Sequence, residues 1–145
     1  MKIAIKKTND NARVPTYGSA GAAGADLYAC LSEKEIRIGK GETVLIHTGI
    51  RMEIPEGYVG LVYARSGLAT KKGLAPANKV GVIDSDYRGE IMVSLYNQSD
   101  KEQTIENGER VAQIVIAPYL KADFFESNDL GETERGEGGF GSTGR

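Results

Sequence analysis

Short runs of alternating apolar and polar residues, cut by turn-forming clusters, constrain this chain most. Lys2–Lys6 alternates, and Glu35-Ile36-Arg37-Ile38 alternates again. Thr43–Ile54 carries Val44, Leu45, Ile46, Ile50, Met52 and Ile54 before a Pro55-Glu56-Gly57 turn. Tyr58–Tyr63 is β-branched and aromatic, and Val80–Ile83, Ile91–Tyr96 and Val111–Ile116 follow. A period of two is that of a strand with one buried face. Gly, Asn, Asp and Pro clusters separate these runs at roughly 8–12 residue spacing, as in a sandwich or barrel. Glu106-Asn107-Gly108-Glu109 contains the Asn-Gly hairpin signal. Only Ser66–Gly73 reads as a helix, with Ser66 as N-cap, Lys71 and Lys72 at the C-terminal end, and Gly73 as the stop. The expected fold is all-β with one short helix.

A chain of 145 residues is one domain with room for a core. From about Glu126 the sequence turns polar and Gly-rich, which divides a β-body over 1–125 from a flexible arm over 126–145. A net charge of -2, with no basic run, argues against nucleic-acid binding of the electrostatic kind. The single cysteine, Cys30, forms no internal disulfide and suits a reducing compartment. No stretch approaches the ~18 apolar residues of a membrane span. The N-terminus alternates too early for a signal peptide. A soluble cytoplasmic protein, or its nuclear or viral equivalent, is expected.

Five stretches carry residues that suit chemistry. The terminal Arg135-Gly136-Glu137-Gly138-Gly139-Phe140-Gly141-Ser142-Thr143-Gly144-Arg145 offers guanidinium, hydroxyl and bare backbone N–H to phosphate, and one flat ring. It reads equally as a low-complexity tail. Gly81–Ile91 runs from an apolar strand into Asp84, Asp86, Tyr87, Arg88 and Gly89. That is an ordinary hairpin with a bend at Gly89, or a hairpin that holds a nucleoside and activates a water. Ala64–Ala69 puts Arg65 and Ser66 at the first turn of the helix, as a simple cap or a phosphate contact. Ala20–Leu27 is a small-residue loop leading through Asp26 into a strand. In Gly108–Gln113, a hairpin exit, Gln113 needs a partner if it is buried. The lone His47 reads as a strand-face residue and Cys30 as core filler. One His and one Cys make no familiar zinc site. The tail has no Lys and no following helix, so it is not a P-loop.

In this order the five stretches resemble the five motifs of the trimeric dUTPases (deoxyuridine triphosphate nucleotidohydrolases): Ala23–Leu27, Ala64–Ala69, Gly81–Gly89, Gly108–Gln113 and Arg135–Gly144. The resemblance spans nearly the whole chain, and the third and fifth motifs are the specific ones. Ala64 stands where that second motif often has Pro or Gly. The resemblance implies a distorted jelly-roll, or β-clip, barrel, and a homotrimer whose three active sites lie between subunits. It implies Mg²⁺-dependent hydrolysis of dUTP to dUMP and pyrophosphate, which keeps uracil out of DNA and supplies dUMP for dTMP synthesis. By the same similarity Asp84 is the base that activates water. Tyr87 packs under the deoxyribose and rejects a 2′-hydroxyl. Asn78 and the backbone of Gly81, Val82 and Ile83 read uracil. Arg65, Ser66 and Gly67 hold phosphates, Gln113 places water or phosphate, and Asp26 binds a water of the metal shell. Phe140 stacks on uracil, while Arg135, Gly141, Ser142 and Thr143 close on the substrate, with the γ-phosphate gripped by Arg135, Ser142 and Thr143.

Two other classes compete. A dCTP deaminase shares such a core, but tends to be longer and needs groups that protonate and attack cytosine. A binding or structural jelly-roll subunit has no use for a base at Asp84.

Overall fold

The computed structural model describes residues 1–140. Among them the chain forms twelve strands and one helix, so the expected all-β class is observed. The widest sheet has the order β2 (Thr16–Tyr17), β3 (Ala25–Tyr28), β12 (Arg110–Pro118), β7 (Tyr58–Tyr63) and β9 (Gly81–Ile83). A second joins β5 (Thr43–His47), β10 (Met92–Asn97) and β8 (Leu74–Pro76). Two pairs complete the body: β1 (Ala4–Lys7) with β6 (Ile50–Glu53), and β11 (Gln103–Glu106) with β4 (Glu35–Ile38). All pairings are antiparallel. Among the described residues these are four separate sheets, and none closes on itself as a barrel.

The apolar positions of the alternating runs meet in one core. Leu27, Ile38, Ile46, Ile50, Leu74, Leu95 and Ile105 are fully buried, each burial contributing roughly 1.5–3 kcal/mol before entropy is counted. Gly60 lies inside β7 where Ile54, Ile114 and Ile83 converge, and a Cβ there would stand 2.8 Å from Ile54 Cδ1. Large residues on β9, β12 and just after β6 thus need a small one on β7.

Three local expectations change. Thr43–Ile54 is not one strand but two, broken at Thr48-Gly49. Gly49 has φ 68°, and Thr48 Oγ1 donates to the Ile91 carbonyl, so the chain turns from one sheet into the next. The Asn107-Gly108 turn forms, but β11 pairs with β4 and β12 with β3 and β7, so it closes no hairpin. Only Gly108 has positive φ, whereas the tight hairpin turn needs it at both central residues. Asn107 Oδ1 accepts instead from Leu31 N at 2.9 Å. Asp84–Ile91 likewise links two sheets, because β9 pairs with β7 and β10 with β5 and β8.

The helix α1 spans Ser66–Lys72 and stops at Gly73, whose φ is 66°, as expected. Its N-cap is Arg65 rather than Ser66, with no side-chain cap bond. The extended Arg65 backbone places the helix start one residue earlier than the Ser66 reading. Lys72 Nζ at the other end reaches Glu109 Oε1 at 2.7 Å and the Thr104 carbonyl at 2.8 Å. No helix among the described residues is long and apolar enough to cross a membrane.

Candidate functional site

The five stretches fall into two separate places. The first is a corner built on β3 and β12, where Gln113 lies directly opposite Asp26. Asp26 is buried, and both its oxygens are taken: Arg65 Nε donates to Oδ1 at 2.6 Å and Arg110 Nη1 to Oδ2 at 3.2 Å. Burying a carboxylate is costly unless it is paired, and here two guanidiniums pair it. Two positive groups and one negative group leave the corner at +1, which favours an anion. The cavity beside it, about 210 Å³, is lined by Gly24, Asp26, Ser66, Gly67, Arg110 and Gln113 among others.

A bulge makes this corner possible. Arg110 and Gln113 are three residues apart, so a regular strand would point them to opposite faces. The register shifts between Arg110 and Ala112, and Arg110 and Gln113 both come to the Asp26 side. Gln113 finds the partner its half-burial requires: Nε2 donates to the Ala64 carbonyl at 2.9 Å. Its carbonyl end crowds Gly24, where a Cβ would stand only 2.3 Å from Oε1. Gly24 is therefore the residue that lets Gln113 hold the segment ahead of the helix. Sequence reasoning missed Arg110, whose partner lies on a strand remote in the chain; only the bulge brings the two together.

The second place is the loop after β9. Asp84 is exposed, and among the described residues nothing hydrogen-bonds its carboxylate. It borders a cavity of about 900 Å³, together with Ser85, Asp86, Arg88 and Tyr119. A separate cleft of about 260 Å³ is lined by Asn78, Gly81, Val82, Ile83, Tyr87 and Glu90 among others. Tyr87 lies over Gly89, where a Cβ would stand 2.2 Å from its hydroxyl oxygen, and that hydroxyl donates to the Glu90 carbonyl at 3.0 Å. Gly89 is at the expected bend, and leaves room for the ring. Arg88 Nη1 donates back to the Ser85 carbonyl at 2.6 Å, which tightens the turn.

These two places do not meet within one chain. Gln113 faces Asp26 on one side and Tyr63 on the other, while Gly60 faces Ile83. Asp26 and Asp84 are thus three strands and about four residues apart, roughly 20 Å at the usual sheet spacings. The two cavities share no lining residue.

Glu90, which borders the cleft, is held below the ordinary carboxylate value. Burial works against its charged form, but hydrogen bonds from His47 and from the Gly49 and Thr48 backbone outweigh it, and its pKa is lowered. His47 is a strand-face residue as expected, at the end of β5. Cys30 is buried in the core; burial first, then the nearby Glu90 charge, push its thiol up. In the arm, Arg135 Nε donates to the Gly138 carbonyl at 2.7 Å, and Phe140 is fully exposed. Gly141, Ser142 and Thr143 lie outside the described residues. Among the described residues no three His, Cys, Asp or Glu side chains gather as a metal cage. Asp26 is the lone carboxylate of its corner, which suits a Mg²⁺ carried mainly by substrate phosphates.

A cationic corner for phosphate and a tyrosine-flanked cleft define a β-protein suited to a nucleotide. The dUTPase family matches residues 10–144. The chain is 51% identical over 144 residues to the deoxyuridine 5′-triphosphate nucleotidohydrolase of a Hydrogenobaculum species, covering 99% of both. It is 49% identical to that of Nautilia profundicola over the full length of each. Among solved structures, a mutant Staphylococcus bacteriophage 80alpha dUTPase with dUpNHpp superposes with a TM-score of 0.90 at 28% identity, covering 99% of each chain. The chain belongs to the dUTPase family.

Proposed function

We propose that this chain hydrolyses dUTP to dUMP and pyrophosphate in a homotrimer whose active sites are completed between subunits. Membership of the family supports the reaction. The observation that carries the shared site is the roughly 20 Å between Asp26 and Asp84, too far for one triphosphate to touch both. In this reading the Asp84 loop of one copy faces the Asp26 corner of another.

Asp84 then takes a proton from the water that attacks the α-phosphorus. An exposed carboxylate without an ion pair among the described residues suits this task, whereas the doubly paired Asp26 does not. Tyr87 supports the deoxyribose where a 2′-hydroxyl would collide. Asn78 and the backbone of Gly81, Val82 and Ile83 hold uracil. Arg65, Ser66 and Gly67 receive phosphates whose charge grows as pyrophosphate leaves. Gln113 orders the segment ahead of Ser66 through Ala64. Asp26 would meet Mg²⁺ through a water, and the ion would neutralise phosphate charge. The body runs to about residue 125 and the arm over 126–145 closes the site, with Phe140 on the base and Arg135, Gly141, Ser142 and Thr143 at the phosphates. The lone cysteine fits the expected reducing compartment, the cytoplasm or its nuclear or viral equivalent.

Pyrophosphate release with Mg²⁺, compared for dUTP, UTP, dTTP and dCTP, tests this reading. Turnover of dUTP alone supports it; none overturns it, and ammonia release from dCTP would assign a deaminase. Light scattering should read three chains of 15.6 kDa.

A further inference from the structure

Residues 90 and 91 are fastened to the β5–β6 corner by four bonds. Gly49 N donates to Glu90 Oε1 at 2.8 Å, and His47 Nδ1 meets Oε2 at 3.1 Å. Ile91 N donates to the Ile50 carbonyl at 2.9 Å, and Thr48 Oγ1 donates to the Ile91 carbonyl. The corner is itself stiff. Gly49 sits at φ 68°, and a Cβ there would come within 2.7 Å of Ala12 Cβ and 3.0 Å of Cys30 Sγ. On its other side, residue 90 holds Tyr87: the tyrosine hydroxyl donates to the Glu90 carbonyl at 3.0 Å, with the ring against Gly89. The chain of contacts runs from the buried corner through the Glu90 carboxylate and backbone to the Tyr87 ring. Without the carboxylate only the two bonds of Ile91 would remain, and the residue whose carbonyl holds Tyr87 would lose its own fastening.

We propose that Glu90 is a positioning residue that sets sugar selectivity through Tyr87, with His47 and Gly49 as its anchors. This rests on Tyr87 being the platform for the deoxyribose. Two acceptor oxygens answer two donors at once. Glutamine keeps the acceptor for Gly49 N and turns its amide toward His47, so it preserves the clamp; alanine removes it; aspartate is one methylene too short to span it.

The test is kcat/KM for dUTP and for UTP in wild type, Glu90→Ala, Glu90→Asp and Glu90→Gln, with thermal unfolding of each. The alanine and aspartate variants should lose about tenfold or more of the dUTP/UTP ratio, mainly through a higher KM for dUTP and a gain with UTP, while glutamine stays within about threefold of wild type. If alanine fails to fold, the aspartate variant carries the test. Folded variants with the wild-type ratio would overturn the role, as would a glutamine variant as unselective as alanine. A wild type inert toward dUTP would remove the underlying reading as well, whereas a selective wild type with indifferent variants removes the positioning role alone.

Discussion

Asp26 and Asp84 sit in regions of opposite character. Asp26 is buried on a central sheet, with each oxygen in a guanidinium ion pair and Gln113 directly across. Asp84 stands in a solvent-facing loop without an ion pair among the described residues. The same side chain thus serves two ends. In the corner its charge organises two arginines; in the loop, on the proposed reading, it takes a proton. Oxygens that hold two guanidiniums are not presented to an attacking water, whereas those of Asp84 face solvent.

Replacing each aspartate should separate those roles. Asp84→Asn should lower pyrophosphate release from dUTP by about a thousandfold, within the range for losing a general base, and leave the unfolding midpoint unchanged. A loss of stability comparable to that of an Asp26 variant would collapse the distinction. Truncation after Arg135 removes part of neither region; it should cost about a hundredfold in turnover through lost closure, with the oligomer intact by light scattering. Near-full kcat would end the arm's role. Asp26→Asn should show the converse of Asp84→Asn: about 2 kcal/mol less stable in urea denaturation, because two arginines lose their counter-charge. That is below the loss for a fully buried pair, since half of the Arg110 side chain is exposed.

The smallest effect concerns the loop's own anchor. The folded pKa of Glu90 lies below the ordinary 4.5, so its charged form stabilises the protein above that value, and this contribution is lost as pH falls through the lowered folded pKa. The stability gap between wild type and Glu90→Gln should therefore be widest above pH 4.5 and narrow on acidification, read from thermal unfolding across that range. A gap that widens instead would place the anchor's strength outside its charge.

Much of the β-body was legible because its cause is local. Glu35–Ile38 alternates over its whole length and Tyr58–Tyr63 is β-branched and aromatic, and both are strands at those bounds. Gly73 stops the helix where a left-handed residue is needed. The short β2 and β8 escaped, because Thr16–Tyr17 and Leu74–Pro76 are too brief to show a period and Pro76 reads as a break. The pairing at Asn107-Gly108 and after Asp84 was misread for one reason: a turn signal states that the chain reverses, not which strand receives it.

The candidate site divides in the same way. The residue types in the five stretches, their order, and the family they resemble are properties of the sequence alone, since chemistry resides in side-chain identity. What the tertiary structure decided is who meets whom. A bulge turns Arg110 onto Asp26, Gly24 makes space for Gln113, and a corner at Gly49 holds Glu90 beneath Tyr87. It also set the corner and the loop roughly 20 Å apart. These are contacts between residues remote in the chain, fixed by strand register and packing, and no local pattern encodes a distance of that kind.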